Sequence, residues 1–255
     1  MGDDDEDLQA ASKTARAIKV VLFVASAALF AGLVKLSFRV PLVAALVAAA
    51  VAAVLLWRWW SRARVVRMLR RGEVHEVIAH WSDGLDQAPH ADTITPLVTA
   101  TAFAAFGRVD DARRALASAA RGPAWEAAIE HRIFLDALLS TFEGDADHAR
   151  EQVARLVTLP MPGRRDVAER VGALREAVAA LVRAFSHRAL PGDLVRLEQA
   201  SENSPLVHWA MRYAAAIVAI DAGDQIKARE LIANAPPWPA ESAFRSFHDE
   251  IRAAC

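Results

Sequence analysis

The side chains able to do chemistry are few and scattered. Cys255 is the only cysteine, which excludes an intrachain disulfide framework and a cysteine-based zinc site. Of the eight histidines, His75 and His80 stand five apart, a spacing that turns them away from each other on a helix. His131, His148 and His208 fall singly in helical segments. Asp83 with Asp86, and Asp145 with Asp147, sit at turns or helix starts, where the ordinary work of an acid is to cap the helix and complement its dipole. No GxxxxGK[ST] phosphate loop, GxGxxG after a strand, HExxH, GxSxG or EF-hand loop occurs. The sequence therefore predicts no catalytic residue, no cofactor-binding residue and no metal ligand, and the protein is expected not to be an enzyme. An enzyme of unrecognised type stays the lesser alternative.

Charge is more informative than reactive groups. The 255 residues have a formal net charge of −1, but that balance is local. Residues 1–19 carry five acids against Lys13, Arg16 and Lys19, a net of −2. Residues 58–71 carry six arginines and no acid, and Lys35 and Arg39 add +2, which leaves −7 for 72–255. A basic block on an acidic body points to a membrane-flanking or nucleic-acid segment. Six cations beside an anionic leaflet would contribute about 1 kcal/mol each. The acidic body and the neighbours of the block exclude nucleic acid as a partner.

Those neighbours are two apolar runs, 18–36 and 40–57, preceded by an acidic flexible tail, 1–17. Each run is long enough for a helix of roughly 27 Å, close to the hydrocarbon thickness of a bilayer. The link Lys35-Leu36-Ser37-Phe38-Arg39 is too short for a domain, and Pro41 suits the first turn of a new helix. The pair reads as a transmembrane hairpin, against a cleaved signal peptide or a buried hairpin as alternatives. Trp57, Trp59 and Trp60, with Arg58, Arg62 and Arg64, have the composition of a membrane-interface anchor. Positive charge on both outer flanks places both termini in the cytoplasm, in what is expected to be a bacterial inner membrane. Ala28 and Gly32, and Ala44, Ala48 and Ala52, allow close helix packing in lipid, read either as ordinary packing within the hairpin or as the face of a homo-oligomer.

From residue 61 onward apolar residues recur at helical spacing, and no alternating strand is found. Four segments, 70–89, 106–123, 143–160 and 222–239, each open with a glycine (Gly72, Gly107, Gly144, Gly223) and end in proline. The glycine spacings are 35, 37 and 79, the last about two repeats, which indicates stacked helix pairs. Seven residues before the glycine stand Ala100, Ala137 and Ala216, and five after it Ala112, Ala149 and Ala228. Two helices approach closely only where side chains are small. Leu116, Val153 and Ile232, then Ala119, Leu156 and Ala235, continue the pattern. It resembles the tetratricopeptide repeat (TPR) over roughly 90–160 and 206–240. In the Gly72 copy Val65 and Val77 take the small positions. No clean register is found in 163–205, where 164–186 reads as one longer helix and Pro191-Gly192-Asp193 begins another. Phe244, Phe247 and Ile251 on one face of 241–254 suit a capping helix.

The TPR resemblance implies that the first helix of each pair lines a peptide-binding groove. Carried onto this chain, the groove-lining residues are Ile94, Leu97 and Thr101, then His131, Phe134 and Leu138, then Ala210, Tyr213 and Ile217. The cations that grip a C-terminal carboxylate in some TPRs are absent from these positions, so the groove is expected to be apolar, with Phe134 and Tyr213 as anchors for an amphipathic helix or extended peptide. The competing reading is that the same side chains pack between helices. The expected protein is all-α, a transmembrane hairpin followed by a TPR-like α-solenoid over 61–255. Its expected role is a membrane-anchored scaffold for protein partners, without cofactor. The layout resembles that of bacterial inner-membrane TPR proteins. The alternative is a structural subunit whose contacts run mainly through the hairpin.

Overall fold

A computed structural model describes residues 41–85 and 88–255, with a few side chains excepted, those of Arg58, Arg62, Val65 and Asp83 among them. The acidic tail, the first apolar run, its connecting loop and Asp86 lie outside the described residues. No strand occurs among the described residues, so the chain is all-α there. It divides into two units, residues 1–63 and 64–255. Helix α1 is described over Pro41–Arg71 and runs through the boundary.

The second unit is built from helix pairs. After the end of α1 comes α2 (Val74–Leu85), then α3 (Ala91–Ala105) with α4 (Val109–Ser118), the short α5 (Pro123–Ala127), α6 (Ile129–Phe142) with α7 (Ala146–Thr158), α8 (Arg165–Phe185) with α9 (Asp193–Asn203), a 3₁₀ turn (Pro205–Val207), α10 (His208–Asp221) with α11 (Gln225–Ile232), and α12 (Ala243–Ala254). This packing is compatible with a helical repeat.

The turn glycines explain the pairs. Gly107, Gly144 and Gly223 adopt φ of 66°, 82° and 80°, a left-handed conformation that costs glycine nothing. Each ends its helix with the same two bonds. At Gly144 its own N–H reaches the Thr141 carbonyl at 3.2 Å and the Asp145 N–H reaches Ser140 at 2.9 Å. Asp145 and Asp224 then accept from the backbone N–H of His148 and Lys227 and cap the following helix. The six alanines flanking these turns, Ala100, Ala137, Ala216, Ala112, Ala149 and Ala228, are all 0% exposed, as close helix contact requires. In the Gly72 copy Val77 is buried in the same role.

Between the Gly144 and Gly223 pairs lies the pair α8 with α9, and its turn residue is a histidine. His187 takes φ 53°, its N–H bonded to the Ala184 carbonyl and the Arg188 N–H to Arg183, the same two bonds made at the glycines. It lies 43 residues after Gly144 and 36 before Gly223, and Ala180, seven residues ahead, is fully buried like its counterparts. The next helix begins six residues after this turn instead of two. Asp193, wholly buried, closes the extra loop. It accepts two bonds from the Arg183 guanidinium at 2.7 and 2.9 Å, and one each from the Leu190 N–H and Arg196.

The first and last pairs of this unit meet. The Trp209 indole donates to the Arg70 carbonyl at 3.3 Å, Arg70 pairs with Glu202, and Gly72 lies beside Pro236 and Trp238. One continuous core runs from Met68 to Ile251. Helix α12 packs on α10 and α11, as a cap would, but its lead-in reaches further. The Ser242 hydroxyl donates to the Phe106 carbonyl at 2.6 Å and the Ala243 N–H to Gly107 at 2.9 Å. Phe244 then meets the rings of Phe142, Tyr213 and Trp238.

Candidate interaction surfaces

The positions expected to line a groove are mostly interior. Tyr213 is fully buried, its hydroxyl accepting from the Trp238 indole and lying 3.3 Å from His248 Nδ1. Burial pushes its phenol pKa well up. Tyr213 is therefore no exposed anchor, and Leu97, Thr101, Leu138 and Ala210 are buried with it. The packing alternative accounts for these five. For Tyr213 the physical reason is the chain's own C-terminal segment, which places Trp238, Phe244 and Phe247 against it, whereas Leu97 packs with Ala119 and Trp125 and Thr101 bonds to His131.

Phe134, Ile217, Ile94 and His131 are half-buried. Ile217 joins Phe185, Phe247 and His187 around a cavity of about 240 Å³. His131 ties α6 to α3. The Thr101 hydroxyl donates to the Leu97 carbonyl at 2.8 Å, so Nε2 of His131, 2.7 Å away, must be the donor to that hydroxyl. Burial holds His131 below the usual histidine pKa, against the opposing pull of the Leu97 carbonyl.

The exposed half of α1 is a second surface. Seven large apolar residues between Val51 and Trp60 are 50–69% exposed, with Trp57, Trp59 and Trp60 at the end of the run. Arg64, Arg67, Arg70 and Arg71 follow and are exposed. Counting only residues whose side chains are described, no helix is long and apolar enough to cross a membrane. Leu42, Val43, Leu46 and Val47 belong to the same apolar run, but their side chains are not among those described.

A third surface is a cavity of about 380 Å³ between α4, α5, α6 and α7. Trp125, 5% exposed, forms part of its wall, and two guanidiniums lie over its ring, Arg121 at 4.1 Å and Arg132 at 4.3 Å from the centre. Arg155 adds a third cation, bonded to the side-chain oxygen of Gln152 at 3.2 Å. Arg113 is a fourth, but it is held by Glu143, Asp136 and Ser140, and the two carboxylates fix its proton. Asp136, the cavity's carboxylate, also binds His148 and is held below the ordinary carboxylate range by Arg113 and His148, which together outweigh the opposing effect of burial. Sequence reasoning missed this site because its cations come from four separate elements. The run Arg121-Gly122-Pro123-Ala124-Trp125 was the one local signal, since the glycine and proline force a turn that sends arginine and tryptophan together. Among the described residues no cluster of His, Cys, Asp or Glu is placed to hold a metal ion. No protein-family model matches the chain, and neither a curated protein nor a solved structure does.

Proposed function

We propose that the protein is a non-enzymatic, membrane-anchored adaptor whose TPR-like helical body holds protein partners at the cytoplasmic face of a bacterial inner membrane. The observation that carries the reading is the Val51–Trp60 stretch of α1. A helix apolar on every side is stable only inside another apolar medium, and lipid fits a run that ends in tryptophans and arginines. Whole-cell fractionation tests the anchor. The full chain should stay in the membrane pellet after alkaline carbonate, and release into the supernatant would end the reading. Cys255, partly exposed, should react with an impermeant maleimide only after lysis.

The alternative role, a structural subunit held through the hairpin, draws on Ala48 and Ala52, small residues four apart that lie exposed on α1. Crosslinked co-purification from native membranes separates the two. Partners that need the helical body support the adaptor, and partners retained by residues 1–71 alone support the subunit.

A further inference from the structure

We infer that the cavity around Trp125 is a binding site for an acidic, partly apolar peptide segment of a partner protein, gripped by Arg121, Arg132 and Arg155. This gives the adaptor reading its class of partner and rests on that reading only in taking the ligand to be a protein.

The cations have unspent capacity. Neither Arg121 nor Arg155 has a carboxylate within ion-pair distance among the described residues. Arg132 has Glu126 at 3.4 Å, whose side chain is 71% exposed, and its own Nε is buried with no hydrogen-bond partner. A buried guanidinium N–H without an acceptor is costly, so the fold's own contacts leave Arg132 incompletely satisfied. The Asp136 carboxylate that could neutralise the cavity is already spent on Arg113 and His148.

The geometry favours a flat, bidentate acceptor. Both guanidiniums lie against the indole, Arg121 at 4.1 Å and Arg132 at 4.3 Å from its centre, and a guanidinium held against an aromatic ring can still meet a carboxylate with its N–H fork. Between the cations the wall is hydrocarbon, with Leu116, Ile129 and Ile133, and Ile129 is exposed. A small hydrated anion gains nothing from that wall. A peptide that alternates acidic and aliphatic side chains covers it while meeting the cations. The surrounding body, 72–255, is net −7 and repels an acidic ligand at long range, so the recess is the local exception that fixes where such a segment can dock.

The test uses the full chain in zwitterionic nanodiscs and a capped, fluorescein-labelled peptide of glutamate and leucine, with a twin in which glutamine replaces glutamate. Anisotropy should show saturable binding of the glutamate peptide, at least about tenfold tighter than the twin. Arg121→Ala and Arg155→Ala should each weaken it about tenfold, and Arg155→Lys less, while Arg114→Ala, an exposed cation outside the cavity, should leave it unchanged. Circular dichroism checks that each variant remains folded, and Arg121, outside any helix, is the variant least able to disturb folding. The proposal is overturned if nothing saturates, if the twin binds equally, if Arg114→Ala costs as much as Arg155→Ala, or if inorganic phosphate displaces the peptide where chloride does not. None of these outcomes bears on carbonate extraction, so the site and the anchor fail separately.

Discussion

The turns at Gly107 and His187 have the same backbone and opposite surroundings. Both residues are left-handed, and both end their helix with the same two hydrogen bonds. Gly107 is roofed by the chain's C-terminal segment. A Cβ placed there would lie 2.9 Å from Phe244 Cγ and from the Ser242 hydroxyl. His187 is open, its side chain 70% exposed and paired with Asp221 at 2.9 Å. A repeat unit thus needs a left-handed residue at its turn, but it needs glycine only where another element presses on it. At His187 the order that glycine would supply through tight geometry comes instead from Asp193, four hydrogen bonds on one buried carboxylate.

The sharpest way to break this comparison is Asp193→Ala. It leaves Arg183 without its forked partner and frees the 188–192 loop, and removing one member of a buried pair costs about 3–5 kcal/mol. Urea unfolding should show that loss. A change under about 1 kcal/mol would mean the turn at His187 holds itself. Gly107→Ala comes next. Left-handed strain of about 1–2 kcal/mol adds to overpacking of about 1–3 kcal/mol against Phe244. At Gly144 nothing lies within 4 Å of the same added methyl, so Gly144→Ala should cost the strain alone. Equal costs at Gly107 and Gly144 would remove the role assigned to the C-terminal segment.

The legibility of the fold follows the same division. Glycine turns with alanines seven before and five after could be read from the sequence because each residue type has a local cause. The α8–α9 turn could not, because histidine is a far weaker left-handed signal than glycine and its support, Asp193, works through side-chain bonds that no spacing rule announces. The filled interior was equally hidden. Tyr213 and Phe134 occupy equivalent positions in their helices, yet only Tyr213 is sealed, by Trp238 and Phe244 from a segment whose destination no periodicity encodes. The arginine cavity depends on four elements converging, and it was invisible for that reason.

Acid should separate the two kinds of bolt. Burial is the leading cause that holds His131, His208 and His248 below the ordinary histidine value of about 6.5. The unfolded chain then binds more protons than the native one once the pH falls below that value. Their contribution is complete above it and is lost as the pH drops towards their folded values. Burial pushes Asp193 up, but Arg183, the Leu190 N–H and Arg196 together outweigh it and hold it below the ordinary carboxylate value, so it stays ionised throughout that range. Tm should therefore fall between pH 7.5 and 5.5. Hydrogen exchange should quicken at the α3–α6 contact, where His131 bonds to Thr101, before it does at the α8–α9 turn. Uniform quickening would argue against separate bolts.

The smallest effect belongs to His187→Gly, and its smallness is the point. Glycine relieves left-handed strain of about 1–2 kcal/mol. It also raises the entropy of the unfolded chain by about 0.5–1 kcal/mol and forfeits an exposed pair worth about 0–1 kcal/mol. The sum is a change near zero, leaning towards stabilisation. A loss above about 2 kcal/mol in urea unfolding would show that the His187 ring matters where it meets the Phe185–Ile217–Phe247 cavity. The histidine would then be a packing residue in its own right, and the turn would owe less to Asp193.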